Sequence, residues 1–370
     1  MRALYALMIL WTLFPLCAQS QPWKSPLRCA WSVDGRVFSP PVVFQDSAGV
    51  ASVTRWKGDT LIAVFQWFRL PNPSPTWDRV ATKFSYDNGR TWSEPRPIIL
   101  ADFPATYQRP FDPTIVVLSA DSLRLYFSSS NGMPMGSDSI IDTHSAVSTD
   151  GITYVYEQGA RVDVADRKII DPAVVRFGPG WHLTAPIGAP QEGAYHYVSP
   201  DGLKFSRVPS IPSDAAHNWT GNFTVVHSNE LRFYGCGREI WFATSSNGGV
   251  WSSYTATNLK GGDPSVVRVA DSLYFIVFTG EPYTTHVDSP AVSNVRVRVN
   301  GLSMRCIVTH SGELDNCDVD IYDLKGRCLA TGTMRHRTQE ICLSAWTSGS
   351  LFLRFSCSGN SITIPVVTQE

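Results

Sequence analysis

Three aspartates open closely related apolar segments of this chain. Asp112, Asp171 and Asp263 begin the stretches DPTIVV, DPAVVR and DPSVVR. Carboxylates gathered in one pocket raise each other's proton affinity, and hydrolysis of a sugar acetal needs such acid and base groups. These aspartates are therefore our candidate catalytic residues. The alternative is that Asp-Pro is only a favourable strand entry, because Asp bonds nearby amides and Pro fixes φ.

No glutamate occupies the first position of these repeated segments, where it could act as the general acid. NFTVVH from Asn222 and VASVTR from Val50 repeat the pattern with the acid replaced, and none of the segments begins with Glu. The acid would have to be one of the three aspartates or a glutamate from a connecting loop. The loop candidates are Glu192, Glu239 and Glu281.

Other loop side chains have the chemistry to bind a sugar. Aromatic faces stack on sugar C–H groups, and charged or amide groups bond to hydroxyls. Ordinary solvated loop polarity is the competing interpretation for each of them. The histidines lack metal-ligand spacing, so we predict no metal and no cofactor. The candidate substrate-binding residues are Arg55, Arg109, His144, Trp219, Asn222, Arg238 and Glu281.

A second repeated element follows the apolar segments and would help to position them. It is a Ser-x-Asp-Gly turn, in the forms SVDGRVF, SYDNGRTW, STDGITY, SPDGLKF and SSNGGVW. Its Asp or Asn can accept backbone N–H bonds within the turn, its glycine can adopt a positive φ, and its final apolar residue can pack between sheets. We therefore predict a structural role for Asp34, Asp87, Asp150, Asp201 and Asn247.

The two elements together predict the architecture. The repeats begin near residues 50, 112, 171, 222 and 263, and four strands in roughly 40 to 60 residues is typical of one propeller blade. The fifth repeat lacks its turn before residue 294, and a spare turn lies near the N-terminus, in WSVDGRVFS. We predict an all-β chain with a five-bladed β-propeller over residues 21–293, closed by an N-terminal strand. Its pocket would be the funnel where the inner strands begin.

Two resemblances bear on function. The turns resemble the Asp-box repeat of bacterial neuraminidases, which implies a structural role away from the pocket. The Asp-Pro-x-Val-Val starts resemble the five-bladed glycosidases of glycoside hydrolase family 43 and its relatives. That resemblance implies a general-base Asp, a second Asp that tunes the acid, and a general-acid Glu, so the leading hypothesis is a glycosidase-like hydrolase.

Two alternatives remain open. The missing inner-strand Glu favours a non-catalytic carbohydrate-binding or surface interaction propeller, such as a lectin. An exo-sialidase would instead need three arginines that converge in the funnel, and Arg55, Arg109 and Arg238 are the ones available.

The two ends of the chain differ from the repeats. Arg2, the apolar run ALYALMILWTLFPL and AQS predict a signal peptide over residues 1–20 and a protein that is secreted or held at the cell surface. After the repeats, Ile321 to Arg327 match the Ile-x-Asp-x-x-Gly-Arg pattern, and this region resembles the sorting domain of type IX secretion. The resemblance implies a small immunoglobulin-like β-sandwich over residues 294–370, with the secretion machinery as a partner.

Charge and cysteine content narrow the range of partners. With 31 Lys and Arg against 32 Asp and Glu, and no basic run, a nucleic-acid partner is disfavoured. We expect a monomer that binds carbohydrate. Export favours disulfides among the cysteines, since their spacing fits no zinc site. The cysteines concerned are Cys306, Cys317, Cys328, Cys342 and Cys357, of which one stays free or pairs with Cys29 or Cys236.

Overall fold

The computed structural model confirms the all-β prediction. The predicted signal peptide and Glu281 lie outside the residues that it describes. In the described part of the chain, no helix is long and apolar enough to cross a membrane. The described residues are 26–68, 80–130, 140–164, 168–280, 296–300, 305–310, 314, 316–323, 327–343, 351–357 and 360–366.

Residues 27–279 form five sheets, and most of their strands are short and rich in Val, Ile, Phe and Tyr. Residues of this kind suit a pleated surface that is packed on both faces. The strands are β1 (Leu27–Ser32), β2 (Val42–Gln45), β3 (Ala48–Arg55), β4 (Leu61–Trp67), β5 (Val80–Ser85), β6 (Arg96–Pro97), β7 (Ile99–Ala101), β8 (Phe111–Ser119), β9 (Ser122–Ser130), β10 (Ile141–Ser148), β11 (Thr153–Val162), β12 (Ala173–Phe177), β13 (Gly180–Pro186), β14 (Ala194–Ser199), β15 (Ser206–Ile211), β16 (His217–His227), β17 (Glu230–Gly237), β18 (Trp241–Ser245), β19 (Thr255–Ala256), β20 (Gly262–Ala270) and β21 (Leu273–Thr279).

Each sheet is a run of neighbouring strands that starts from one of the repeated apolar segments. The sheets have the orders β3-β4-β5-β6, β8-β9-β10-β11-β7, β12-β13-β14-β15, β16-β17-β18-β19 and β20-β21-β1-β2. All neighbours are antiparallel except β7 and β11. The N-terminal strand β1 pairs with β21 from Leu27 opposite Thr279 to Ser32 opposite Tyr274. The start and the end of the repeat region therefore share one sheet.

The first strands of the five sheets contact one another in the cyclic order β3, β8, β12, β16, β20 and back to β3. This is the arrangement of a β-propeller. Hydroxyl side chains near the strand starts bond to the neighbouring sheet. The bonds are Ile115 N to Ser52 Oγ (3.1 Å), Thr114 Oγ1 to Pro172 O (2.6 Å), Thr224 Oγ1 to Val266 O (2.6 Å) and Val53 N to Ser265 Oγ (2.9 Å).

The five Ser-x-Asp-Gly turns share one hydrogen-bond pattern. In the fourth, Oδ1 of Asp201 accepts from the N–H groups of Leu203 (2.8 Å) and Lys204 (3.0 Å), and Ser199 Oγ donates to it. These bonds, the backbone ones first, lower the pKa of Asp201 to about 2. The turn side chains thus bond within their own loops. The same bonds recur at Asp34, Asp87, Asp150 and Asn247.

The C-terminal region forms two antiparallel sheets around one apolar core. The core joins Val308 and Ile341 of the first sheet to Ile321, Leu353 and Phe355 of the second. The strands of these sheets are β22 (Arg296–Asn300), β23 (Arg305–Thr309), β24 (Asp318–Asp323), β25 (Cys328–Thr333), β26 (Thr338–Cys342), β27 (Leu351–Cys357) and β28 (Asn360–Val366). The sheets have the orders β22-β23-β26 and β25-β24-β27-β28.

The disulfide prediction is wrong for most of the cysteines. Cys317 is disulfide-bonded. The spacing in the sequence could not show that the other thiols face separate environments, such as a strand core for Cys29 and an exposed edge for Cys342. The cysteines that are free thiols are Cys29, Cys236, Cys306, Cys328 and Cys342.

Candidate active site

Each of the three aspartates lies where the backbone of an inner strand kinks. The φ angles of Asp112, Asp171 and Asp263 are 49°, 51° and 47°. The pairing register slips at two of these positions, between Phe111 and Thr114 in β8 and between Gly262 and Ser265 in β20. Asp tolerates this left-handed conformation better than most residues, because its short polar side chain can bond locally. The repeated Asp-Pro therefore marks a kink as well as a strand start.

The three carboxylates line one cavity at the ends of the inner strands. Val50 and Asn222, from the two inner strands without an aspartate, complete its wall. The cavity has a volume of about 10 Å³, which is room for about one water molecule. A sugar ring would therefore have to lie above this cavity, against the same side chains.

Asp112 and Asp171 are in direct contact. The backbone N–H of Asp171 donates to Oδ2 of Asp112 at 3.3 Å, and the two carboxyl groups also share a hydrogen bond. Burial is the largest cause of the raised pKa of Asp112, about 6, and the charge of Asp263 adds to it. Burial and the charges of Asp112 and Asp263 raise the pKa of Asp171 well above its usual value. Asp171 is therefore the member of the pair that keeps its proton.

Asp263 is the third carboxylate of the cavity. Burial raises its pKa to about 6, opposed by the hydroxyl of Thr279, which donates to Oδ2 at 3.4 Å. The thiol of Cys236 lies close by: burial first, then the charge of Asp263, raises its pKa to about 12. A neutral thiol therefore borders the site. Among the described residues, no group of three or more His, Cys, Asp or Glu could hold a metal ion.

Asn222 lines the cavity but uses its amide within the protein. Its Nδ2 donates to Ser52 Oγ at 3.1 Å, and its Oδ1 accepts from the N–H of Phe223. Ser52 also bonds to a second neighbouring strand, so Asn222 contributes to the closure of the ring. The sequence contained a signal for this network that we did not use, since the third residue of four of the five repeats carries a hydroxyl group.

Two predicted ligand-binding residues are instead part of the core. Trp219 is 1% exposed and packs against Phe233 at 4.6 Å between ring centroids. His144 is 3% exposed, lies against Phe127, and shares a hydrogen bond with the hydroxyl of Tyr156 at 3.1 Å. The structure thus places both side chains among ring partners of their own sheets, and neither lines the cavity. The sequence around them did not indicate this burial.

The arginines of the sialidase alternative do not gather at the cavity. Arg55 ends β3, whereas the cavity lies at its start, and Nε of Arg55 donates to the carbonyl of Gly58 at 2.7 Å. The side chain of Arg238 is 87% exposed. Arg109 is partly buried and precedes Asp112 by three positions, yet it is not among the described residues that line the cavity.

The two described loop glutamates are bound elsewhere. Glu192 is exposed, and its Oε2 accepts from the N–H of Ala189 within a 3-10 turn at Pro190–Glu192. Glu239 pairs with Arg238 at 3.4 Å. Neither lines the cavity. Within the described residues, the carboxyl groups that line the cavity are thus those of the three aspartates.

Comparisons with known proteins give only distant likenesses. No protein-family model matches the chain, and no curated protein matches it. A family 32 β-fructofuranosidase from Bombyx mori is 12% identical with a TM-score of 0.49, covering 94% of this chain and 90% of its own. A family 43 β-xylosidase/α-arabinofuranosidase from a compost metagenome is 14% identical with a TM-score of 0.46, covering 62% of this chain and 84% of its own. The Trypanosoma rangeli sialidase is 11% identical with a TM-score of 0.39, covering 86% and 84%. At these values no residue role is transferred.

Proposed function

We propose that this protein is a carbohydrate-active propeller, a glycosidase-like hydrolase that works through Asp112, Asp171 and Asp263. The observation that carries the proposal is their placement at one cavity with unequal proton affinities. Pairs of carboxyl groups whose environments separate their pKa values are how enzymes obtain an acid and a base at one pH.

In the proposed reaction, Asp171 is the general acid. It gives its proton to the glycosidic oxygen as the bond from that oxygen to the anomeric carbon breaks. A water molecule attacks the anomeric carbon and passes its proton to Asp263, which is ionised above a pH of about 6. Asp112 stabilises the proton on Asp171 through their shared hydrogen bond. After each cycle Asp263 releases its new proton to bulk water, and Asp171 takes up a proton from bulk water. The net change is the addition of one water molecule.

We also infer the finer architecture and the location of the protein. The cyclic contacts among five first strands support a five-bladed propeller, and the common hydrogen bonds of the turns support Asp-box repeats. Two sheets around one core support a β-sandwich in the C-terminal region, for which the matched segment from Ile321 to Arg327 suggests a sorting role. The basic and apolar start of the chain suggests export to the cell surface or medium.

A non-catalytic carbohydrate-binding propeller is the second candidate. Glu192 and Glu239 bond to other groups, and no glutamate is among the described residues that line the cavity. If Asp171 does not donate its proton to a substrate, the same carboxylates can still accept hydrogen bonds from sugar hydroxyls. Such a site would bind sugars without cleaving them.

The experiment is a screen of aryl glycosides and natural glycans against the wild-type protein and Asp171→Asn. We expect turnover by the wild-type protein and a loss of at least about 100-fold in kcat/KM for Asp171→Asn, the usual scale for a general acid. Asp121→Asn, which changes an exposed acid on the β8–β9 turn, is the matched control and should keep full activity.

Binding measurements on a glycan array separate the two candidates. Binding without turnover by the wild-type protein would select the binding propeller. Turnover that survives Asp171→Asn unchanged would remove the proposed acid. The absence of both binding and turnover would reject a carbohydrate function.

A further inference from the structure

Val50 occupies a backbone position that an acid occupies in three other inner strands. Its φ of 45° matches the 47° to 51° of Asp112, Asp171 and Asp263. The register of β3 slips between Gly49 and Ala51, as it does around Asp112 and Asp263. Val50 is thus the counterpart of the catalytic candidates in the sheet that begins with β3.

Valine is an unfavourable residue for this conformation. A left-handed backbone brings Cβ close to the following carbonyl oxygen, and a β-branched side chain makes the crowding worse. Asp, Asn or Gly would adopt the same φ at lower cost. Strained residues that persist at a pocket suggest that function retains them, because the strain gives no benefit to folding.

Val50 belongs to the apolar part of the cavity wall, together with Ala51, Pro113 and Pro172. The polar part of the wall includes the side chains of Asp112, Asp171, Asp263 and Asn222. A sugar hydroxyl that pointed at the isopropyl group of Val50 would lose its hydrogen bonds to water and gain none. A sugar edge with only C–H groups, or a methyl group, would lose no hydrogen bond there.

We propose that Val50 determines substrate specificity, by accepting a sugar edge that carries only C–H groups and rejecting sugars that place a hydroxyl there. This inference rests on the proposed function. The expected substrates are pentosides or deoxy sugars that lack the exocyclic hydroxyl of the matching hexoside. Sites that leave a polar group unpaired against an apolar wall discriminate between such pairs.

Two variants separate polarity from backbone strain. Val50→Thr keeps the shape and the β-branching but adds a hydroxyl, and Val50→Asn adds a polar group while it relieves the left-handed strain. The matched control is Ser47→Asn, because Ser47 has a φ of 51° and lies outside the cavity. Activity is measured on paired aryl glycosides, xyloside against glucoside and D-fucoside against D-galactoside, and stability by thermal unfolding.

We expect the wild-type protein to prefer the sugar without the extra hydroxyl. Both Val50 variants should reduce that preference at least about tenfold, mainly through KM. Tm should rise for Val50→Asn and Ser47→Asn and stay unchanged for Val50→Thr, while Ser47→Asn keeps the wild-type preference.

The outcomes distinguish this inference from the proposed function. Wild-type turnover with unchanged selectivity in both Val50 variants would overturn the role of Val50 and leave the hydrolase proposal intact. A lower Tm for Val50→Asn would show that valine is the better residue for folding, and would overturn the inference as well. A wild-type protein that neither cleaves nor binds any sugar of the panel would overturn both proposals.

Discussion

Oδ2 of Asp112 accepts a hydrogen bond from the backbone N–H of Asp171 at 3.3 Å, so an acid from one inner strand fixes the start of the next. The same contact couples the two carboxyl groups. A charge on Asp112 favours the proton on Asp171, and the backbone bond in turn favours the charge on Asp112. One contact therefore joins two sheets and separates the proton affinities of two acids.

This arrangement predicts that the site acids destabilise the protein at neutral pH. Asp112 has a pKa of about 6 in the folded state, against an ordinary value of 3.8. The folded protein therefore binds more protons than the unfolded chain between pH 4 and 6, and stability falls as the pH rises through that window. Asp112→Asn should gain roughly 1–3 kcal/mol at pH 7 and little at pH 4. Urea denaturation at both pH values measures this.

The control for that prediction is Asp121→Asn, which removes an exposed acid and should leave the free energy of unfolding unchanged at both pH values. If Asp112→Asn is less stable than the wild type at pH 7, the carboxylate is needed for the fold, and the argument from its raised pKa fails. The gain in stability of Asp112→Asn should be accompanied by a loss of activity. Such a trade-off is common where a functional site contains strained or charged groups.

A second prediction concerns the dependence of kcat/KM on pH. Asp263 must lose its proton to act as base, and its pKa is about 6. Activity should therefore rise as the pH passes about 6, and fall at higher pH when Asp171 is deprotonated. In Asp263→Asn the rising limb should disappear from the residual activity. A rising limb that persists in this variant would assign the base to another group.

Much of this fold follows from repetition in the sequence. The Asp-Pro-x-Val-Val segments identified the inner strands, because buried β-branched runs have few other stable conformations. The spare turn at Asp34 indicated that the N-terminal strand belongs with the last sheet. Both inferences depend on local patterns that recur, so that one ambiguous copy is supported by the others.

The loop side chains were harder to predict, since their surroundings are set by distant parts of the chain. Trp219 looked like a sugar-stacking residue but lies against Phe233 and Trp241. Cys236 borders the carboxylates although no residue near it in sequence indicates so. Val50 seemed to be a repeat that had lost its acid, and only its φ shows that the backbone kink was kept.

A third prediction tests the hydrogen bonds that join neighbouring sheets. Ser52 is buried and accepts from both Ile115 N and Asn222 Nδ2. Ser52→Ala leaves two buried donors without a partner, so it should cost about 2–4 kcal/mol in the free energy of unfolding, against about 1–2 for Ser265→Ala. Ser265 has one such bond, to Val53 N. Denaturant titration measures both losses.

The matched control is Ser119→Ala, since Ser119 is exposed at the end of β8. Ser119→Ala should lower the free energy of unfolding by no more than about 0.5 kcal/mol. A loss for Ser52→Ala that is no larger than this would mean that water replaces the missing hydroxyl, and that the ring is held by strand packing alone.

The final prediction tests whether the Ser-x-Asp-Gly turns hold neighbouring sheets together. Gly202 has a φ of 73°, and a Cβ there would lie 2.7 Å from the hydroxyl of Tyr126, which donates to the carbonyl of Gly202. Gly58 has a similar φ of 54° with nothing within 4 Å of a Cβ. Gly58→Ala should therefore lose only the backbone strain, about 1 kcal/mol. Gly202→Ala should lose about 3–5 kcal/mol, because the turn must also move away from Tyr126. Stability is measured by thermal and urea unfolding. If Gly202→Ala and Gly58→Ala lose equal amounts of stability, the turn adapts freely and its contact with the neighbouring sheet does not stabilise the ring.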